Sequence, residues 1–345
     1  MAKKGRIAGG TALVLLLVVG LVAYWAWNKV TGPAASFEED SKVLYIPRGA
    51  DFDQVVDSLA QIGAIQDETA FRWLCEQKKY TAKVKPGRYR ISNGTSMNAL
   101  VNMLRSGEQE PVRVTFSSIK RLPELAGKLG RVLEPDSLDF LKVLMDADAQ
   151  RKAGYDAETF IASFIPNTYE FWWTTTPEQF IERMGKEHAT FWNAERMAKA
   201  KALKLSAVEV ATLASIVQAE TVKRSDAPKI AGVYLNRLRI GMPLQADPTL
   251  KFALGLDSIS RVLHKDMEVV SPYNTYQNTG LPPGPINMPE TSMIDAVLNA
   301  EKHDYLYFCA RADLSGYSDF AKGYDQHLVN ARKYQRALNE RGILR

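Results

Sequence analysis

The sequence predicts an α+β protein with a single N-terminal transmembrane helix, a small α/β module, and a larger, mostly helical domain that contains a small sheet. Three observations lead to this prediction. No charged residue occurs between Ile7 and Asn28, strand-like and helix-like segments alternate over the next part of the chain, and helical periodicity dominates after it. We therefore divide the 345 residues into an N-terminus (1–6), an anchor (7–28), a linker (29–41), the module (42–110) and the larger domain (111–345).

The uncharged N-terminal stretch is long enough to cross a bilayer as a helix. Lys3 and Arg6 precede it, and Trp25 and Trp27 lie near its far end, where aromatic rings favour the membrane interface. A cleaved signal peptide is the alternative, but its apolar core would be only about 7–15 residues long. We expect a single-pass membrane protein whose basic flank is cytoplasmic and whose chain after Lys29 lies outside.

Composition and charge exclude several other classes of protein. The chain is 46% hydrophobic and 24% charged, as in ordinary globular proteins. Its net charge of +5 is small, and its basic residues are scattered among acidic ones, so we expect no nucleic-acid binding.

Cys75 and Cys309 are predicted to be two small buried side chains without a disulfide. The four histidines lack metal-ligand spacing, and we expect neither metal nor cofactor.

The module of 42–110 alternates strands and helices. We predict a strand at Val43–Ile46, a helix at Asp53–Ile62 that Gly63 ends, a helix around Phe71–Cys75, a strand at Arg88–Ser92, and a helix that Thr95–Ser96 caps and Gly107 stops. This strand–helix–helix–strand order resembles a LysM-like domain, which would imply glycan binding. A spacer domain without a ligand fits the pattern equally well.

Two capping boxes predict helix starts in the larger domain, one at Thr176–Gln179 and one at Ser206–Glu209. In the helix after the second box, Glu220 falls on the same stripe as Leu213 and Val217. A carboxylate there has two interpretations. Either it reaches water or Arg224 at a frayed helix end, or it lines a cleft against apolar walls. In the cleft its pKa would rise, as a general acid requires.

Two loops after this helix have the composition of a sugar-binding site. Residues 241–249 read GMPLQADPT, and residues 271–285 read SPYNTYQNTGLPPGP. Tyrosine rings pack on the faces of sugars, and side-chain amides bond to their hydroxyl and acetamido groups. Loops of this composition also occur as plain connections between helices.

Three long strings carry a family resemblance: LASIVQAET, VYLNRLRIGMPLQADPT and SPYNTYQNTGLPPGPI. The order, spacing and residues of these strings over 206–286 resemble the YceG-like family of endolytic murein transglycosylases. The predicted anchor and LysM-like module also match the domain order of that family. The resemblance implies that Glu220 acts as both acid and base. It would cleave the bond between N-acetylmuramic acid (MurNAc) and N-acetylglucosamine (GlcNAc) without water and leave 1,6-anhydro ends.

The resemblance also implies where the protein works and with what. The expected location is the inner (cytoplasmic) membrane of a bacterium, with the catalytic domain on the extracytoplasmic side. The expected partners are peptidoglycan glycan strands, the membrane, and proteins of cell-wall synthesis, and cutting would end the growth of nascent strands. Gln245, Asn274 and Tyr276 are our candidates for holding the sugars. Asp247 is a weaker candidate, for which we favour a helix N-cap.

The chain departs from the family pattern at several positions. Gln218 stands where the family string has an additional acid, which leaves Glu220 as the matching glutamate. Asn167 replaces an acid, and Leu328 follows the family-like His327 in place of asparagine. Two alternatives remain open: a hydrolytic muramidase that uses Asp247 as a second carboxylate, and a non-enzymatic peptidoglycan-binding tether.

Overall fold

The structure is a computed structural model that describes residues 16–21, 24–25, 27–117, 119–255 and 264–342. The described residues divide into two compact units. Unit 1 contains the chain up to Arg113 together with Val132–Pro135 and Glu170–Thr175. Unit 2 contains Val114–Arg131, Asp136–Tyr169 and the chain from Thr176 onwards. Helices and small two-stranded sheets confirm the α+β class. The domain boundaries given above stay predictions.

Unit 1 contains two paired strands and three helices in the predicted order. The elements are β1 (Ser41–Ile46), α1 (Phe52–Gln61), α2 (Glu68–Gln77), β2 (Gly87–Ser92) and α3 (Met97–Ser106). The strands are antiparallel, with Ser41 opposite Ser92 and Ile46 opposite Gly87. Leu44 and Ile46 point into the core while Tyr45 between them is exposed, as the two-residue period of a strand requires.

Short-range capping fixes the ends of the helices in unit 1. The Asp51 side chain caps α1 in a capping box with Gln54, and Ser96 Oγ accepts a hydrogen bond from Ala99 N at the start of α3. Gly107 ends α3 in the left-handed conformation, with φ at 74°. These starts and stops confirm the helices predicted from the sequence.

The predicted anchor, 7–28, falls largely outside the described residues, which exclude 1–15, 22–23 and 26. The described positions of 16–31 are helical, and the large apolar side chains among 16–27 are exposed. No single helix in the described part of the chain is long and apolar enough to cross a membrane. The helices Ala194–Leu203 and Ala207–Glu220 pass that test only as a pair, bent by 78°.

Unit 2 is mostly helical. Its helices are α4 (Leu122–Leu129), α5 (Ser137–Leu144), α6 (Ala147–Lys152), α7 (Pro177–Phe191), α8 (Ala194–Leu203), α9 (Ala207–Glu220), α10 (Ala227–Arg239), α11 (Asp247–Leu254), α12 (Thr291–Leu298) and α13 (Tyr324–Glu340). Short 3₁₀ helices lie at Phe160–Ser163, Arg224–Asp226 and His264–Glu268. Both predicted capping boxes are present, at the starts of α7 and α9.

Two further pairs of strands complete the fold. Strands β3 (Val112–Phe116) and β4 (Asn167–Phe171) form one two-stranded sheet. Strands β5 (Tyr307–Ala310) and β6 (Ser318–Ala321) form an antiparallel hairpin in which Tyr307 pairs with Ala321. The hairpin packs against α13 and α10.

Helix α9 is the central helix of unit 2 and positions the candidate site. Every residue from Val210 to Val217 is buried, so the helix has no solvent-facing side along these two turns. Helices α8, α10, α11 and α12 surround it. A helix that is apolar all round is a core helix. Its last turn, which contains Glu220, reaches a partly open surface.

Candidate active site

Glu220 is the last residue of α9 and is half-buried. The chain leaves the helix at Thr221, whose backbone is extended and whose Oγ1 donates a hydrogen bond to Val217 O over 2.5 Å. This bond satisfies a carbonyl group of the final turn, so the helix end is closed rather than frayed. Arg224 does not pair with Glu220, because its Nη2 lies 2.6 Å from the carboxylate of Glu290.

Burial, and after it the negative charge of Asp247, raises the pKa of Glu220 to about 7. Lys251, the Tyr234 hydroxyl group and Arg237 lower the pKa of Glu220 and so act in the opposite direction. Because the raising effects dominate, a substantial fraction of Glu220 is protonated at neutral pH. A carboxylic acid with a pKa near the working pH can both donate and recover a proton.

Tyr234 is a residue beside Glu220 that we did not predict. It lies on α10, is 1% exposed, and meets the edge of the Phe308 ring at a centroid distance of 5.8 Å. Burial and the nearby Glu220 carboxylate raise the pKa of Tyr234 well above its usual range. The hydroxyl group therefore stays protonated beside Glu220.

Arg237, one turn further along α10, forms hydrogen bonds to two other chain segments near the site. It is buried, its Nε donates to Leu306 O over 2.7 Å, and its Nη1 donates to Leu244 O over 2.7 Å. Its guanidinium group also lies over the ring of Tyr307, 5.3 Å from the centroid. Arg237 thus fixes the start of β5 and the loop before α11 beside Glu220.

Asp247 is not the N-cap of α11, so that interpretation was wrong. The N-cap is Ala246, and no side-chain capping bond is present. The carboxylate of Asp247 instead accepts a hydrogen bond from the Tyr276 hydroxyl, with 2.6 Å between the oxygen atoms. Proline as the next residue starts the helix without a side-chain cap. The Asp247 carboxylate is therefore available to act on Glu220 electrostatically.

The two polar loops predicted from the sequence lie side by side. Gln245 N donates to Thr275 O over 3.0 Å, and Ala246 N donates to Thr275 Oγ1 over 3.0 Å. Gln245 has a positive φ of 52° and an exposed side chain. The structure therefore brings Gln245, Asp247 and Tyr276 to one surface near Glu220.

Asn274 has a different position from the other sugar-binding candidates, because it is fully buried. Its Nδ2 donates to Met267 O over 2.9 Å and to Val269 O over 2.8 Å, and its Oδ1 accepts from Tyr276 N over 3.0 Å. The amide thus bonds to the backbone of the residues just before this loop and to that of Tyr276. It fixes the backbone that presents Tyr276.

Gln218, which replaces an acid of the family pattern, faces another part of the chain. Its Oε1 accepts from Glu290 N over 2.6 Å, and its Nε2 lies 3.3 Å from Asn287 Oδ1. Asn287 in turn donates to Ser215 O over 3.0 Å. These bonds hold the 286–290 segment against α9 and leave Glu220 as the acid at the helix end.

A cavity of about 490 Å³ opens beside Glu220. Phe308, Tyr317 and Tyr334 supply aromatic walls, and Arg311 supplies a cationic group. The cavity is therefore bounded by the β5–β6 hairpin and by α13, which lie far along the chain from α9. Cys309 also lines it and is half-buried rather than buried as predicted, whereas Cys75 is buried in unit 1, and both thiols are free.

Fold and site together define a two-unit α+β protein with a carboxylic acid at the end of a buried helix, beside an open cavity. A family model described as the YceG-like family matches residues 44–333. This chain belongs to the YceG-like family.

Named relatives and a solved structure agree with this assignment. The endolytic murein transglycosylase of Bacillus subtilis is 31% identical over 334 residues, which cover 88% of each chain. That of Streptococcus pneumoniae is 27% identical over 359 residues, which cover 93% of this chain and 64% of the relative. A crystal structure of a yceG-like protein from Listeria monocytogenes superposes with a TM-score of 0.56 at 28% identity, covering 84% of this chain and 98% of that one.

Proposed function

We propose that this protein is an endolytic lytic transglycosylase that cleaves the MurNAc–GlcNAc bond of peptidoglycan, with Glu220 as its acid and base. The observation that carries the proposal is the position of Glu220, a single protonatable carboxylic acid at the end of a core helix and beside a cavity. The names of the Bacillus and Streptococcus relatives support the reaction class.

In the first step, protonated Glu220 donates its proton to the oxygen that bridges the two sugars. The bond between that oxygen and C1 of MurNAc breaks, and GlcNAc leaves with a free 4-hydroxyl group. A pKa of about 7 suits this step, because the acid is available at neutral pH yet strong enough to transfer its proton.

In the second step, the C6 hydroxyl group of the same MurNAc attacks C1, assisted by the substrate's own acetamido group. The Glu220 carboxylate takes the hydroxyl proton, so the residue returns to its starting state. No water enters the product, which is a 1,6-anhydro-MurNAc end. One carboxylate suffices, in contrast to the pair that most glycosidases need.

Asp247 has an electrostatic role in this proposal. Its charge helps to keep Glu220 protonated, and the bond from Tyr276 fixes where that charge lies. Gln245 and Tyr276 contact the sugars directly, since both are at least partly accessible. Asn274 contributes by holding Tyr276 in place.

The N-terminal stretch 7–28 anchors the protein in the bacterial inner membrane, with the site on the extracytoplasmic side. Its basic flank and its length support this part of the proposal. The 42–110 module is LysM-like. Along the sequence it follows the anchor and precedes the catalytic domain, 111–345. Cutting close to the membrane would end the growth of nascent strands beside the synthesis machinery.

Glu220→Gln tests whether the protein acts as an enzyme or as a tether. The substitution keeps the shape of the side chain and removes its proton, so cells that carry it should show the same wall phenotype as cells that lack the protein. Glu340→Gln, on the exposed end of α13, is the matched control and should behave as wild type. A non-enzymatic tether would keep full function in the Glu220→Gln variant.

A further inference from the structure

The cavity beside Glu220 has one basic side chain among its described lining residues, Arg311. The remaining walls are mostly aromatic or aliphatic, and include Phe308, Tyr317, Tyr334 and Leu338. A cation in such a cavity is available to a ligand only if its hydrogen-bond donors are free. The contacts of Arg311 therefore decide what the cavity can bind.

Arg311 lies at the turn of the β5–β6 hairpin, where its backbone is fixed. Its N donates to Tyr317 O over 2.9 Å, and its O accepts from Leu314 N over 3.1 Å. Its side-chain Nε lies 3.3 Å from Asp319 Oδ1, and the guanidinium carbon lies 5.8 Å from the centre of the Tyr317 ring. A carboxylate on one edge and a ring beneath the plane thus restrict the orientation of the guanidinium group.

The two terminal nitrogens of Arg311 have no hydrogen-bond partner in the described part of the chain. The other nearby carboxylate, Asp313, accepts bonds from the N and Oγ atoms of Ser315 in its own turn. The Arg311 side chain is 48% exposed. It therefore presents four oriented N–H donors at the cavity that contains Glu220.

Such a fork of donors suits carboxylate and carbonyl oxygens. If the proposed function is correct, the substrate alternates two sugars that differ in one substituent. The muramyl sugar carries a 3-O-lactyl group, which ends in a carboxylate when the strand is free of peptide and in an amide carbonyl when it is not. The other sugar has only a hydroxyl group at that position.

We propose that Arg311 binds the carboxyl or carbonyl oxygens of the lactyl group and thereby selects muramyl-containing strands over strands of N-acetylglucosamine alone. This inference rests on the proposed function and adds a specificity-determining residue to it.

Binding by the full chain in detergent, with Glu220→Gln to prevent cutting, tests the inference. The probes are peptide-free MurNAc–GlcNAc oligosaccharides and GlcNAc oligosaccharides of equal length. In this background Arg311→Gln should reduce the preference for the muramyl strand about tenfold, the effect of losing one charge-assisted contact. Affinity for the GlcNAc strand should stay the same.

Two further variants separate recognition from a structural effect. Arg311→Lys keeps the charge and should retain part of the preference, whereas Arg336→Gln removes an exposed charge from α13 outside the cavity and should retain all of it. An unchanged preference in Arg311→Gln, or an equal loss for both strands, would overturn the inference. Such a result, with wild type still forming anhydro ends, leaves the proposed function standing; a wild type that forms none refutes both.

Discussion

The Tyr276 hydroxyl group donates a 2.6 Å hydrogen bond to Asp247, the carboxylate whose charge raises the pKa of Glu220. This pair joins the two polar loops that precede and follow α11 to the end of the core helix α9. The Asp247 carboxylate thus acts on an acid that must be protonated. The electrostatic control of Glu220 is therefore open to test by substitution.

Asp247→Asn should lower the pKa of Glu220, because it removes a charge that raises it. The fall in transglycosylase activity at alkaline pH should then begin at lower pH than in wild type. A pH–rate profile measures this shift. Tyr276→Phe is the matched control, because it removes the hydrogen bond but keeps the Asp247 carboxylate. In this variant the alkaline fall in activity should not shift to lower pH. An unshifted fall in activity in Asp247→Asn would contradict the electrostatic role.

Tyr234→Phe should shift the alkaline fall in transglycosylase activity to higher pH, opposite to the effect of Asp247→Asn. The nearby Tyr234 hydroxyl group lowers the pKa of Glu220, so its removal should raise that pKa. The protonated acid then persists to higher pH. The phenylalanine ring keeps the contact with Phe308, so the fold should stay intact. If the profile is the same as that of wild type, the hydroxyl does not act on Glu220.

The stability of the fold should depend on the ionisation of Glu220. Its folded pKa is raised from 4.5 to about 7, so its favourable contribution is present below pH 4.5 and is lost as the pH rises through 7. Glu220→Gln removes the titration and should gain roughly 3 kcal/mol relative to wild type between pH 4 and pH 8. Urea unfolding at both pH values measures the difference, with Glu340→Gln as the control that should show none.

Gln218→Glu should not restore activity to Glu220→Gln. The Gln218 side chain bonds to Glu290 N and to Asn287, away from the end of the helix, so an acid placed there is directed to the wrong surface. The double variant should be as inactive as Glu220→Gln alone in a sacculus digestion. Recovery of anhydro products in the double variant would show that either position can carry the acid.

Arg237→Gln should destabilise the site more than Arg239→Gln. Arg237 is buried and bonds to the carbonyl groups of Leu306 and Leu244, which would lose their partner. Arg239 is exposed, and its Nη2 donates to Asn236 Oδ1 over 3.1 Å. We expect a loss of about 2–4 kcal/mol in the free energy of unfolding for Arg237→Gln and a much smaller one for Arg239→Gln, measured by urea denaturation. Equal losses would show that Arg237 does not hold the site together.

Local interactions explain what could be predicted from the sequence. The capping boxes at Thr176 and Ser206 act within a few residues, so the starts of α7 and α9 could be placed correctly. The helical period placed Glu220 on the same stripe of α9 as Leu213 and Val217. The local sequence also predicted Asp247 as a helix N-cap, and this was wrong. The side chain instead bonds to Tyr276, which comes from a separate loop.

Long-range packing explains what could not be predicted. Tyr234 lies among apolar residues of α10 and has the pattern of an ordinary core side chain, since nothing local indicates that its hydroxyl meets α9. The cavity wall that carries Arg311 belongs to a hairpin far along the chain from Glu220. Asn274 was predicted to contact sugars from the composition of its loop, but only the fold shows that its amide bonds to the backbone of Met267 and Val269.

The central claim is that Glu220 cleaves peptidoglycan without water. The most direct test is to digest purified sacculi and nascent glycan with the full chain, as wild type and as Glu220→Gln, and to identify the product ends by mass spectrometry. Wild type should give 1,6-anhydro-MurNAc ends and Glu220→Gln none. Reducing ends in place of anhydro ends would instead show a muramidase, with Asp247 as the second carboxylate, and would contradict the account.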